Sequence, residues 1–173
     1  FNYALTDDGS GYTAAGEVDA TSIVLQALAP YRSDPAVTPV INSALAFIQS
    51  QTLADGGYGF WGNSSAESTA QVLTALCELG IDPLSPEYVA DSGKNIFDAL
   101  SGYINPDGGG RCWDGTSNIM TSYQMLYGLN AYDRYVGNEV SLNNLTDSAG
   151  LLNSIFLPFV RYFVLALFNI ISN

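Results

Sequence analysis

The feature that most limits what this chain can fold into is a unit of about fifty residues that recurs three times. Its copies run from Glu17 to Leu28, from Ala66 to Leu76 and from Asn118 to Leu129. Aligned on Thr21, Thr69 and Ser122, they stand 48 and 53 positions apart. A period in that range points to a supersecondary unit that stacks on its neighbours, because one copy cannot bury its apolar face alone. Within the copies, Thr21, Val24, Leu25 and Leu28 fall at i, i+3, i+4 and i+7, and Thr69, Val72, Leu73 and Leu76 repeat that spacing. This is the period of an amphipathic helix. A second apolar stripe follows each time: Val37, Val40, Ile41, Ala44, Leu45 and Ile48 in the first unit, and Val89, Ile96, Phe97, Leu100 and Ile104, less regularly, in the second. Pro35 and Pro86 stand near the starts of these second helices, where a missing N–H costs little. Gly80, followed by Ile81-Asp82-Pro83, stops the helix before it. The unit is loop, helix, turn, helix. Helices are expected near 19–30, 36–51, 66–80, 87–104, 118–135 and 150–170, with Leu25, Leu73 and Leu126 facing one core.

Each first helix is preceded by a glycine-aromatic loop: Gly9-Ser10-Gly11-Tyr12, then Asp55-Gly56-Gly57-Tyr58-Gly59-Phe60-Trp61, then Asp107-Gly108-Gly109-Gly110-Arg111-Cys112-Trp113. Glycine permits left-handed backbone and close approach. A buried Tyr or Trp beside it anchors such a loop on the core. No Walker lysine follows, and the spacing is not that of a dinucleotide fingerprint. A structural turn is therefore expected, not a phosphate loop.

Composition removes several function classes. Lys and Arg total 5 against 17 Asp and Glu, for a net charge of -12. Four arginines and one lysine, scattered from Arg32 to Arg161, cannot form the basic patch that nucleic acid requires. The acidity fits a solvated surface on a protein that stays soluble outside the cell, or one that binds cations weakly. There is no His, which removes the commonest general base and metal ligand together. Ser-His-Asp and Cys-His nucleophile systems fail for the same reason. Cys77 and Cys112 lie 35 positions apart with no CxxC, so no metal is expected and no redox compartment is defined. Cys77 lies in an apolar helix, where a buried free thiol is expected.

Several stretches resemble a known family. Val18-Asp19-Ala20-Thr21 with Leu25-Gln26-Ala27-Leu28-Ala29-Pro30-Tyr31, Ser64-Ser65-Ala66-Glu67-Ser68-Thr69-Ala70-Gln71 with Leu79-Gly80-Ile81-Asp82-Pro83, and Asn130-Ala131-Tyr132-Asp133-Arg134-Tyr135 resemble prenyltransferase/squalene-oxidase repeats. Such repeats occur in secreted or cell-wall-attached proteins of Gram-positive bacteria. Gln51 with Asp55 to Trp61 is similar to the glutamine–tryptophan motif of squalene cyclases. The resemblance covers residues 1–140. It implies an all-α fold, a terpenoid-cyclase-like α/α toroid in which hairpins stand in a ring with their first helices innermost. A full ring takes five to seven hairpins. About three are present here, so a partial, open ring is expected, and the chain reads as a fragment beginning at Phe1.

The activities of the superfamily test poorly against these residues. A class II cyclase uses an aspartic acid of a DxDD motif, held protonated by burial and a neighbouring carboxyl. The matching stretch is Glu17-Val18-Asp19-Ala20-Thr21, so Asp19 is the one candidate acid and Ala20 replaces its neighbour. Glu17 or Asp19 could instead cap the helix start. A prenyltransferase zinc needs a His that is absent. A thioester needs a glutamine close to its cysteine, and Gly110-Arg111-Cys112-Trp113-Asp114 has none.

The resemblance therefore implies a non-catalytic module with a binding or scaffolding role at a cell surface or outside the cell. Its partner would be a protein, a glycan or a small molecule. Corrinoid (cobalamin) binding, as in intrinsic factor, is the alternative. Glu17, Asp19, Asp55, Tyr58, Trp61, Glu67 and Trp113 are the candidate binding residues. The second region, 141–173, contains an almost wholly apolar stretch at 151–171, long enough at 21 positions to cross a bilayer core of about 30 Å. Arg161 near its middle costs roughly 2.5–3.5 kcal/mol on insertion. It reads equally as a membrane segment or as the outer helix of the third unit.

Overall fold

The helix Ala66–Leu79 is buried along nearly its whole surface, and the other described helices pack around it. The computed structural model describes residues 16–143. In chain order the elements are α1 (Val18–Leu28), α2 (Thr38–Ser50), a two-stranded hairpin of β1 (Gly59–Phe60) and β2 (Asn63–Ser64), α3 (Ala66–Leu79), α4 (Ile96–Ser101) and α5 (Ile119–Val136). Short 3-10 turns, Ala29–Tyr31 and Pro86–Tyr88, follow α1 and precede α4. The chain is mostly helical, as the periodicity requires. The Gly9–Tyr12 loop and the stretch at 151–171 lie outside the described residues. No helix among the described residues is long and apolar enough to cross a membrane.

α3 packs between α1 on one side and α5 on the other, with α2 on α1 and α4 on α3. Leu25 of α1, Val72, Leu73 and Leu76 of α3, Ile48 of α2 and Ile96 of α4 are almost wholly buried. Each such side chain contributes about 1.5–3 kcal/mol on leaving water. Two links fix the relative direction of the first helices. Thr121, in the first turn of α5, donates to Glu67, in the first turn of α3. Gln26 donates to Gln71 at 2.8 Å, and Gln71 donates to Gln124 at 3.2 Å, so an amide ladder crosses α1, α3 and α5. The three helices lie side by side and parallel, with their N-termini at one end. α3 and α5 approach closely at Gly128: a Cβ there would sit 2.9 Å from the carbonyl oxygen of Ala70.

The repeat is visible as repeated hydrogen bonding. Ser65 caps α3 by accepting from Ser68 N, and Asn118 caps α5 by accepting from Met120 N and Thr121 N. Thr69 Oγ1 accepts from Tyr58 N at 3.1 Å and donates to Ser65 O, while Ser122 Oγ accepts from Gly110 N at 2.8 Å and donates to Asn118 O. In the loops, Asp55 Oδ1 accepts from Gly57 N and Asp107 Oδ1 from Gly109 N, both at 3.0 Å. Gly56 and Gly108 take matching left-handed φ of 82° and 81°. Gly56 is also sterically required, since a Cβ would lie 2.3 Å from Asn95 O. These loops are structural turns.

Three expectations need correction. α4 occupies only Ile96–Ser101, not 87–104, because Ala90-Asp91-Ser92-Gly93 forms a turn with Gly93 at φ 82°. A capping box of Asn95 and Asp98 then starts a new helix, and Ile104, assigned to the apolar stripe, is 55% exposed. In α5 it is Met125, 4% exposed, that enters the core, while Leu126 is 38% exposed. Among the described residues α5 packs mainly on α3 alone, so the face that Leu73 buries in the central helix has no described partner in α5. Pro86 opens the 3-10 turn Pro86–Tyr88 and not α4, whereas Pro35 does stand near the start of α2, which begins at Thr38 with Pro39 in its first turn.

Candidate functional site

The hairpins before α3 and α5 place both tryptophans at the end of the array where the parallel helices begin. Between Phe60 and Asn63, paired across the hairpin, stand Trp61 and Gly62 with φ of 50° and 78°. Two successive left-handed residues make a type I′ turn, a geometry that favours Asn-Gly and disfavours a bulky side chain in the first position. Trp61 is nevertheless there, and it is 90% exposed. In the third unit Cys112 N donates to Thr116 O and Gly115 N to Cys112 O, each at 2.9 Å, with Gly115 at φ 86°. Trp113 rides on that turn, 94% exposed. The two indoles occupy equivalent places in successive units. Neither anchors its loop on the core, contrary to the expectation for aromatics beside glycine. Ile119 and Met120, at the start of α5, add apolar surface at 89% and 60% exposure.

The anchoring role belongs to Tyr58, which is fully buried. Its hydroxyl lies 3.0 Å from Thr52 Oγ1, and burial pushes its phenol up to about 12. Asp55 is tied to Gly57 N and to the hydroxyl of Ser64. These two candidates hold the loop.

Glu17, Asp19 and Glu67 lie at the N-terminal ends of α1 and α3. Glu17 stands at the cap position of α1, but its side chain makes no capping bond. Neither it nor Asp19 is a cap in the manner of Ser65 and Asn118. Asp19 accepts from the hydroxyl of Ser68, which in turn accepts from Ser65 Oγ at 2.9 Å. Burial holds the Asp19 carboxyl above its ordinary value, the Ser68 bond pulls it back, and the negative charge of Glu67 raises it again. Glu67 is bonded across to Thr121 of α5. Glu17 Oε2, Asp19 Oδ1 and Ser22 Oγ are closed off from solvent with no hydrogen-bond partner. Sequence reasoning selected the three acids but missed Ser22 and Thr121, whose small polar side chains look like ordinary helix residues.

Among the described residues, no three of His, Cys, Asp and Glu come together to hold a metal ion. Cys77 is buried and free, and burial, with the charges of Glu78 and Asp82, pushes its thiol up to about 12. Cys112 is free and partly exposed. An open depression of about 550 Å³, lined by Gly16, Pro39, Val40, Ser43, Ala44 and Phe47, lies along α2. Comparison of the chain with known protein families, with curated proteins and with solved structures returns no match.

Proposed function

We propose that this chain is a non-catalytic recognition module of the prenyltransferase/squalene-oxidase repeat type, displayed by a secreted or cell-surface protein. Three parallel first helices, of which α1 carries α2 and α3 carries α4, support an open arc of an α/α toroid. The observation that carries the functional reading is the pair of exposed tryptophans, Trp61 and Trp113, on equivalent hairpin tips. An indole held almost wholly in water contributes nothing to the core. Trp61 also occupies a left-handed backbone position that costs about 1–2 kcal/mol for such a residue. Strain of this kind is retained where the side chain has work outside the fold. A flat amphipathic ring at a rigid tip stacks on a sugar ring or an apolar side chain.

The test is co-sedimentation of the chain with purified cell-wall polysaccharide, followed by tryptophan emission. Binding should fall at least tenfold in Trp61→Ala and in Trp113→Ala. Binding that survives both truncations removes the reading. Cobalamin added to the same cuvette addresses the corrinoid alternative: the corrin would quench both indoles on binding. Saturable quenching tighter than about 1 µM, equivalent to roughly 8 kcal/mol, would replace the surface-module reading with that one. Asp19, with Ala20 beside it, lacks the second carboxyl of the cyclase motif. Incubation with squalene is expected to give no cyclised product.

A further inference from the structure

The contact between successive units is made twice among the described residues, and each of its two faces is left open once. In the first contact Asp19 of α1 accepts from the hydroxyl of Ser68 of α3. In the second, Glu67 of α3 accepts from the hydroxyl of Thr121 of α5. The offsets of 48 and 53 carry Asp19 onto Glu67 and Ser68 onto Thr121, so this is one bond repeated. Further along the second contact, Ala70 of α3 backs onto Gly128 of α5. Each first helix thus has a forward face, which meets the next unit, and a rear face on its other side, which meets the unit before. The forward face holds Val18, Ser22 and Leu25 in α1 and Ala66, Ala70 and Leu73 in α3, all buried. The same positions in α5 are Ile119, Tyr123 and Leu126, which are 89%, 62% and 38% exposed. The rear face holds Ser68 and Ala75 in α3 and Thr121 and Gly128 in α5, all buried. In α1 these positions are Ala20 and Ala27, and Ala27 is exposed. The open rear flank continues onto α2. Gln49 on one side of α2 donates forward to the Tyr88 hydroxyl at 3.3 Å, and the depression lined by Pro39, Val40, Ser43 and Phe47 opens on the other side.

The two open faces answer each other position by position. Where an acid meets a hydroxyl inside the chain, the end faces offer Met120 of α5 and Ala20 of α1. Both members of the polar pair have become apolar together, so a junction between them strands no hydrogen-bonding group. Where Ala70 meets Gly128 inside, the end faces offer Tyr123 and Ala27. Bulk on one side is opposed by a small residue on the other, as close packing requires. Neither set of positions carries a charged side chain, so the net charge of -12 is not concentrated on either face. A contact of α5 with α5 would instead set Tyr123 against Tyr123 and leave the rear flank of α1 and α2 uncovered. We propose that a second copy of this chain docks head to tail, the forward face of α5 in one copy covering the rear face of α1 in the other. The junction continues the contact already made by α1 with α3 and by α3 with α5. It is heterologous, so each pair either closes on itself or adds further copies. It uses neither tryptophan and stands apart from the recognition reading.

Sedimentation velocity of the full chain over a range of concentrations tests this. Reversible self-association is expected. Tyr123→Glu spoils the forward face and Ala27→Glu the rear face; both side chains are exposed, so both variants should keep the circular dichroism of the parent. Each variant alone should associate at least tenfold more weakly. An equal mixture should recover a species of two chains and none larger, because one variant keeps its rear face and the other its forward face. Trp61→Ala with Trp113→Ala should associate like the parent while losing polysaccharide, so the two readings fail separately. A chain that stays monomeric up to about 100 µM would overturn the proposal, whether its end faces are covered from within the chain or by another protein. Association that ignores Ala27→Glu would replace it with a contact of α5 on α5. A mixture that fails to recover the two-chain species would overturn it as well.

Discussion

Replacing Trp61 by Asn separates display from folding. The side chain is 90% exposed, so almost no burial is lost. Its ring meets Phe60 at 6.3 Å between centroids with a tilt of 55°, a contact at the long end of the useful range and worth about 0.5 kcal/mol. Against that stands the left-handed backbone at φ 50°, which costs a non-glycine residue about 1–2 kcal/mol and costs Asn much less. The bond from Asn63 Nδ2 to the backbone oxygen of residue 61 is retained. Trp61→Asn should therefore stabilise the fold by about 1 kcal/mol, a rise in Tm of about 2–4 °C for a chain of this size. Urea unfolding followed by far-UV circular dichroism measures it, with an unchanged slope marking an unchanged native state. The same variant should lose polysaccharide binding. A loss of stability above about 1 kcal/mol would mean that the indole packs against part of the protein, and the argument for display would fail.

Four further outcomes follow from the geometry. Gly128→Ala should destabilise by roughly 1–2 kcal/mol in thermal unfolding, since a Cβ 2.9 Å from the Ala70 carbonyl outweighs the better helix propensity; a gain would deny the close α3–α5 contact. Thr69→Ala should cost about 2 kcal/mol by stranding the Tyr58 N–H, whereas Thr69→Ser should cost visibly less, because Ser122 already makes the same bonds in the third unit. Asp19→Asn should be more stable than the parent at neutral pH. The folded-state pKa of Asp19 is raised above 3.8, so the folded chain holds that proton more tightly than the unfolded chain does. The associated stability is complete below 3.8 and is lost as pH rises through the folded value, and unfolding midpoints across the acid range should be flatter in the variant. Iodoacetamide at pH 8 should modify Cys112 and leave Cys77 intact in the native protein, because a thiol pushed up to about 12 carries almost no thiolate there.

What the sequence made legible was whatever is determined locally. The recurrence of Thr69 at Ser122 carries over into loop-to-helix bonds of the same kind, because caps and glycine turns depend on residues a few positions away. The same locality, read incompletely, misled at α4: an apolar stripe across Val89 to Ile104 drew attention past Asp91-Ser92-Gly93, and the turn won. Leu126 was misplaced for a different reason. A helix at the side of an array buries a narrower face than one in the middle, and neighbour count is not written in any single segment. At the candidate site, Glu17, Asp19 and Glu67 stood out as acids, but their lack of cationic partners needs three helices to be assembled first. The exposure of Trp61 and Trp113 was equally hidden, since an aromatic beside glycine fits an anchor, as Tyr58 is, as well as a displayed ring.

The amide ladder bears on how such a chain could lengthen. Gln26 gives a hydrogen to Gln71 and Gln71 gives one to Gln124, so the ladder has a polarity, running from the first unit to the third. Gln71 and Gln124 hold the same place in their units, whereas that place in the first unit is Ile23, and Gln26 reaches across from a turn further along. A duplicated copy of the second or third unit would arrive with its own glutamine at the right height and could join the ladder at once. A duplicated first unit would bring an isoleucine to that height.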